Sequence, residues 1–505
     1  MINNCYTVPF SVFILGCPTS SGDMYSESGA PHTSFQCLPQ KQTSWIWGHE
    51  LTIFQHEASE MYLGWAASLG LVYRIKAALF QSDIVVVGDS SAAQHIFQNS
   101  NTMKLAGKGI AWAQGEDHRY QRRLLSPAFT SGAVKAMTDD IVSCVEKMTQ
   151  NLRSTLTVTD AKVVDIVPVI SVCALNIIGR VGFGHDFEST ETKAIRSAWH
   201  QDVVTLRTFT GFMAPILINV FPWITSLPIP ALPDSVVRQL VHKLAGRLIS
   251  DNFKNPNVLR GNDILSILVN DCHENSEIRL TTTEILDNVS VAASGYETIA
   301  VTVEFILLEL ARNPAIQHKL RNELLTVASP DYDSISALEY LNAVVKEGLR
   351  LHPVTRPAER IAVQDDMIPL SQTILTENGE PLSSFAVKAG QVFRIPWALL
   401  NVNKQVWGNN AHEFIPERWI EPGGVPPADK LPHGPWVGVS SFCKTCIGYR
   451  LALSELKIII AIVVRSFQFE CTEAKIVGHL CPTVQPFADG KAVSMPLKVS
   501  LVLEL

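Results

Sequence analysis

Basic residues are missing from the first forty positions of the chain, where Lys41 is the first Lys or Arg. A secretory leader needs a positive start ahead of its apolar core, and the run Val8 to Cys17 has none. That run is also only half as long as a membrane helix, which takes about 20 apolar residues. The expectation is that no segment spans a bilayer. Charge is scarce throughout, at 18% of residues, and a net charge of −7 gives nucleic acid nothing to bind. The ten cysteines, at 5, 17, 37, 144, 173, 272, 443, 446, 471 and 481, follow no disulfide framework, which suits a reducing compartment. Repeats and low-complexity tracts are absent. The sequon opened by Asn288 falls inside a predicted helix and is read as coincidence.

What is present is apolar mass. Hydrophobic residues make up 47% of the chain, enough for a core that hides a large cofactor. Residues 1–37 are rich in Ser, Gly, Pro and Cys without a period, and are expected to form a poorly ordered segment lacking a clear membrane anchor. A single domain is expected over 38–505. From Trp45 the pattern tightens into a helix near Glu57 to Leu69, strands at Val72 to Ile75 and Val85 to Val87, and a helix from Ser90 to Gln98. A basic helix follows from Glu116 to Leu125, with His118 and Arg122 one turn apart on one face. It is either a solvated face or an anion clamp. Residues 131 to 255 read as mostly helical, including Val164 to Val181. The prolines of the greasy stretch 209–230 leave two readings, buried helix ends or a surface that touches a membrane or rims a substrate entrance.

Thr281 and Glu284 form a capping-box pair ahead of a long helix that ends at Asn313. Its centre, Gly295, Tyr296, Glu297, Thr298, is either a tolerated helix with a solvated acid or a distorted one holding an acid and a hydroxyl over a cavity. Ser336 and Glu339 are expected to cap the next helix but one, Leu338 to Leu351, on which Glu347 and Arg350 face the same way. Strands are expected near Arg360 to Val363 and Val392 to Ile395, followed by a loop carrying Phe414, Pro416, Glu417, Arg418 and Trp419. Finally Cys446 stands at the mouth of an apolar helix opened by Ile447, Gly448, Tyr449 and Arg450. A helix N-terminus favours a thiolate, and Gly448 would let a flat ligand approach the backbone. The plainer reading is a small buried hydrophobe starting a core helix. Cys443 and Cys446 also make a Cys-x-x-Cys, but no second pair lies at zinc spacing.

Gly-x-Glu-Thr, Glu-x-x-Arg, Phe-x-Pro-Glu-Arg-Trp and Cys-Ile-Gly-Tyr-Arg, in that order, resemble the cytochrome P450 superfamily of haem-thiolate monooxygenases, in its fungal microsomal form, over roughly residues 38 to 500. The resemblance implies a mainly α fold with a smaller β portion (α+β): a triangular helical prism with haem b between a long distal helix and the C-terminal helix after the Cys loop. Cys446 would be the axial ligand of the haem iron. Thr298 would hydrogen-bond the dioxygen and Glu297 would link it to a proton source. Glu347, Arg350 and Arg418 match a buried ion network that positions the Cys loop. Arg122 matches a haem-propionate ligand, with His118 where many members carry Trp, and Arg360 is a second propionate candidate. Gly448 and Lys444 fall within the cofactor loop.

The implied activity is insertion of one oxygen atom from O2 into a lipophilic small molecule, of the terpenoid or polyketide kind made in fungal secondary metabolism. Electrons would come from an NADPH–cytochrome P450 reductase, with cytochrome b5 as an alternative donor, and Arg123, Lys346, Lys444 and Arg450 are candidates for receiving it. The implied location is the cytosolic face of the endoplasmic reticulum membrane, with peripheral contact through 209–230; without a membrane helix, the cytosol is the alternative. Three departures from the family pattern stand out. In the loop F-x-x-G-x-R-x-C-x-G, the Phe, Gly and Arg sites hold Val439, Phe442 and Lys444. A microsomal start is reduced to Leu38, Pro39 and Gln40, and Ile299 replaces the second distal hydroxyl residue. The eroded loop predicts weakly held haem, so the rival reading is a haem-poor or catalytically impaired relative. A third is a member that isomerises or dehydrates its substrate without a reductase.

Overall fold

The computed structural model describes residues 43–98, 103–104, 110, 113, 115–156, 161–187, 189–221, 223, 239–241, 243–247, 250, 263–271, 280–328, 330–375, 379–428, 430–431 and 446–502. The N-terminal segment 1–37, the hinge remnant Leu38 to Gln40, and Trp436, Val439, Phe442, Cys443 and Lys444 of the Cys loop lie outside them.

The long helix Thr282–Arg312 is the axis of the molecule. Its capping box forms as the sequence predicts: Thr281 N–H donates to Glu284 Oε2 at 2.7 Å and Glu284 N–H to Thr281 Oγ1 at 3.3 Å. Its 31 residues span about 46 Å at ~1.5 Å per residue. Val303, Ile306, Leu307 and Leu310 along its second half are fully buried. They pack in one large core with the helices Ile166–Phe183, Glu339–Leu351 and Tyr449–Ser466. The close approach of Glu339–Leu351 depends on Gly348, where any Cβ would collide with Ile306.

The β portion is small and divided. A five-stranded sheet runs in the order Val72–Ile75, Ile84–Val87, Val392–Ile395, Ala358–Ala362, Met103–Lys104, with only the second and third strands parallel. Asp366–Leu375 and Pro381–Val387 form a separate hairpin, and Ile476–Leu480, Val484–Ala488 and Lys491–Ala492 a three-stranded meander. Pro496–Leu501 lies between Lys162–Asp165 and Phe467–Cys471. This is the mainly α, lesser β architecture expected.

Several local expectations are corrected. Val164 begins no helix: it pairs with Leu497 in a strand, and the helix starts at Ile166, capped by Asp165. Ser336 does not cap Glu339–Leu351, because it lies within the short helix Tyr332–Ala337. Glu323, on the helix Pro314–Leu324, takes that role by accepting from Tyr340 N–H at 2.7 Å and Leu341 N–H at 2.8 Å. A carboxylate from a neighbouring helix thus satisfies the free donors and the dipole together. Among the described residues, two helices are long and apolar enough to cross a membrane, Ile166–Phe183 and Glu284–Arg312, where none was expected. Both are mostly buried, so their apolar faces meet each other and the core.

Candidate active site

Cys446 precedes the tight turn into the C-terminal helix Tyr449–Ser466, where Tyr449 N–H donates to Cys446 O at 3.3 Å. The thiol is exposed although protein atoms crowd around it. The Gly448 N–H donates to the sulfur and the Arg122 guanidinium attracts its charge, both favouring the thiolate. Desolvation outweighs them and raises the thiol above its ordinary pKa. The helix-end argument from sequence is therefore corrected: here enclosure wins over the dipole, and a bound metal ion would be needed to reverse the balance. Gly448 has room, since a Cβ there would meet only Phe129, at 3.5 Å.

Behind this turn lies a charge network whose members find partners on every side. Arg350 donates to both oxygens of Glu347 at 2.8 Å, and to the carbonyls of Asn401 (2.9 Å), Ala411 (2.7 Å) and Glu413 (3.2 Å). Glu347 also accepts from Ile415 N–H at 3.0 Å, Trp419 Nε1 at 3.0 Å and Arg418 Nε at 3.3 Å. Arg418 reaches on to the carbonyls of Asn410 and Trp407, and Arg350 lies over the Trp407 ring at 4.7 Å. Glu347 and Arg350 are fully buried, where an ion pair is tolerated only when hydrogen bonds complete it. The network pins the irregular segment 401–419 to the helix Glu339–Leu351. The backbone carbonyls it uses could not be identified from residue type.

On the long helix, Gly295 faces open space, for a Cβ there would meet nothing within 4 Å. Thr298 Oγ1 donates to Gly295 O at 3.0 Å, and Thr302 Oγ1 to Thr298 O at 2.7 Å; such back-bonds bend a helix locally. Glu297 is buried, not solvated. It accepts from Thr483 Oγ1 and from Gln485 Nε2 at 2.6 Å, and Gln485 Nε2 also donates to Thr483 Oγ1 at 2.7 Å. Burial pushes its carboxyl up to about 8, against a smaller opposing effect of the Thr483 bond. Sequence reasoning missed Thr483 and Gln485. The available signal was that a buried acid must find donors.

The remaining sequence candidates are dispersed. His118 and Arg122 are half-buried on the helix Gly115–Leu125, and Arg122 is near enough to act on the Cys446 sulfur. Arg360 is half-buried, donates to Glu359 O at 2.7 Å and lies over Phe97 at 4.7 Å. Lys444 is outside the described residues. Arg123 and Arg450 are exposed, and Lys346 lies over the Trp419 ring at 5.6 Å.

An enclosed but accessible thiol at one helix start, and a distal helix with open space at Gly295, fit a flat cofactor ligated through sulfur. The chain belongs to the cytochrome P450 family, whose profile it matches over residues 27–483, and its cofactor is haem b. It is 30% identical over 492 residues to cytochrome P450 monooxygenase claP of Ampulloclitocybe clavipes, covering 90% of this chain and 91% of that one. Cytochrome P450 monooxygenase claQ of the same fungus is also 30% identical, with the same coverage. Cytochrome P450 monooxygenase 205 of Postia placenta is 29% identical, covering 85% of this chain and 84% of its own.

Proposed function

We propose that this P450 inserts one oxygen atom from O2 into a lipophilic small molecule of fungal secondary metabolism, of terpenoid or polyketide type, with electrons delivered by an NADPH–cytochrome P450 reductase or cytochrome b5. The observation that carries this reading is the Cys446 thiol, exposed at the start of the C-terminal helix with the Arg122 guanidinium near enough to attract its charge. Haem b, when bound, supplies the redox chemistry that activates dioxygen. In this reading Cys446 holds the iron, Gly448 leaves the helix start open to the ring, and Arg122, His118, Arg360 and Lys444 neutralise the propionates. Thr298 orients a hydrogen bond at the oxygen-binding face. Glu297, protonated up to about pH 8, holds a proton one residue away from Thr298, its carboxyl held in place by Thr483 and Gln485. Glu347, Arg350 and Arg418 keep the segment before the Cys loop in place.

Peripheral membrane contact is part of the proposal. The helix Phe209–Val220 bears Phe209 and Phe212, which meet Trp47 at 5.7 and 5.6 Å between ring centroids. Trp45 (81% exposed), Phe80 (69%) and Trp223 (62%) present large apolar side chains to the outside, the composition of a surface that enters a lipid interface. This suits the cytosolic face of the endoplasmic reticulum.

The test is the carbon monoxide difference spectrum of the reduced protein expressed with ample haem precursor. A thiolate-type Soret band that Cys446→Ala abolishes is expected. A colourless protein, or pigment untouched by the substitution, would refute the proposal in favour of a haem-poor relative, the outcome toward which Val439, Phe442 and Lys444 point.

A further inference from the structure

Buried arginines in this protein are supplied with acceptors. Arg394 is held by the carboxylates of Glu50 and Glu359, Arg350 by Glu347, and Arg321 by two carbonyls and the Gln317 amide oxygen. Two others are not. Arg356 donates from Nε to Cys481 O at 2.5 Å, and neither of its Nη groups has an acceptor among the described residues. The nearby carboxylate, Glu359, is committed to Arg394. Arg207 gives one bond from Nη1 to Phe54 O at 2.6 Å and lies over the rings of Phe54 (4.3 Å) and Phe487 (5.9 Å), again without a carboxylate among the described residues. A guanidinium carries five donors in a planar fork, so most of this capacity is unspent. The Thr355 hydroxyl, beside Arg356 in the chain, is buried and has no partner among the described residues.

These groups converge on the candidate active site. The Cys481 thiol lies within electrostatic reach of Arg207, Arg356 and Glu297 together. The turn after Cys481 carries Thr483, which binds Glu297, and Val484, whose N–H donates to Val354 O at 2.8 Å. Arg356 is surrounded by protein and yet partly accessible, as a side chain lining an interior chamber would be. Desolvation lowers the pKa of both arginines, against smaller opposing effects of Cys481 on both and of Glu359 on Arg356.

We propose that the substrate carries a carboxylate, received by the Nη groups of Arg356 with Arg207 as the second cation, so that this P450 acts on a lipophilic acid. A carboxylate matches the guanidinium fork in pairs of charge-assisted bonds, and it would supply the acceptors that the fold withholds. The inference rests on the proposed function only in taking this chamber as the substrate's.

Equilibrium dialysis of the haem-loaded protein at pH 8 tests it, with dodecanoic, hexylbenzoic and cholanic acids each set beside its methyl ester. At least one acid should bind about tenfold more tightly than its ester, a preference of the size charge-assisted pairing supports. Arg356→Gln should remove that preference while leaving the ester's affinity unchanged, Arg207→Gln should reduce it, and Arg356→Lys should restore part of it. The proposal is overturned if no acid outbinds its ester, or if Arg356→Gln weakens acid and ester equally, as a mere anchor of Cys481 would. The carbon monoxide spectrum of the same preparations separates the two readings. A thiolate band without acid preference sinks this inference alone, while Arg356-dependent acid binding without that band sinks only the oxygenase.

Discussion

Replacing Glu297 by Gln isolates the consequence of burying an acid in the long helix. Glu297 is 4% exposed, and its carboxyl rises from 4.5 to about 8, chiefly through desolvation. The folded state therefore keeps a proton that the unfolded chain releases near pH 4.5. Below that pH both states are protonated and the contribution to stability is fully present. Between 4.5 and 8 only the folded state holds the proton, so stability falls as pH rises, by about 1.4 kcal/mol per unit. Over this window the loss is about 5 kcal/mol, and it levels off above pH 8. Gln keeps the size and can still accept from Thr483 and Gln485, but it does not titrate. Urea unfolding of both proteins at pH 5, 6.5 and 8 should show wild type losing stability relative to Glu297→Gln by several kcal/mol. Glu455, buried and likewise pushed up to about 8, is present in both and cancels in the difference. Parallel pH dependences for the two proteins would show that Glu297 is not held neutral and that the argument from its burial fails.

Two further outcomes follow from the network and the Cys loop. Glu347→Gln leaves Arg350 and Arg418 buried without their shared countercharge; a loss of about 3–5 kcal/mol is expected, read as a lowered denaturation midpoint together with reduced haem retention on gel filtration. Phe442→Gly combined with Lys444→Arg restores a flexible turn and a forked cation to the loop, and should raise the ratio of Soret to protein absorbance; an unchanged ratio would mean that the erosion does not limit haem binding.

The long helix, its capping box, the apolar C-terminal helix and the order of the four motifs were legible in the chain, because each depends on neighbours three or four residues apart. Local spacing also put Glu347 and Arg350 on one face. It could not tell an exposed pair worth a few tenths of a kcal/mol from the buried hub that Arg418, Trp419 and the carbonyls of 401–413 complete. The Ser336 cap failed for the same reason, since Glu323 reaches that helix end from another helix. Residue order thus determined most of the helices and singled out Cys446 as the candidate ligand. Tertiary packing alone decided that protein crowds around Cys446 and raises its thiol despite its helix end, that Glu297 holds its proton against Thr483 and Gln485, and that Arg356 and Arg207 make no ion pair with a carboxylate among the described residues. Desolvation and long-range partners set each of these, and both depend on segments distant in the chain.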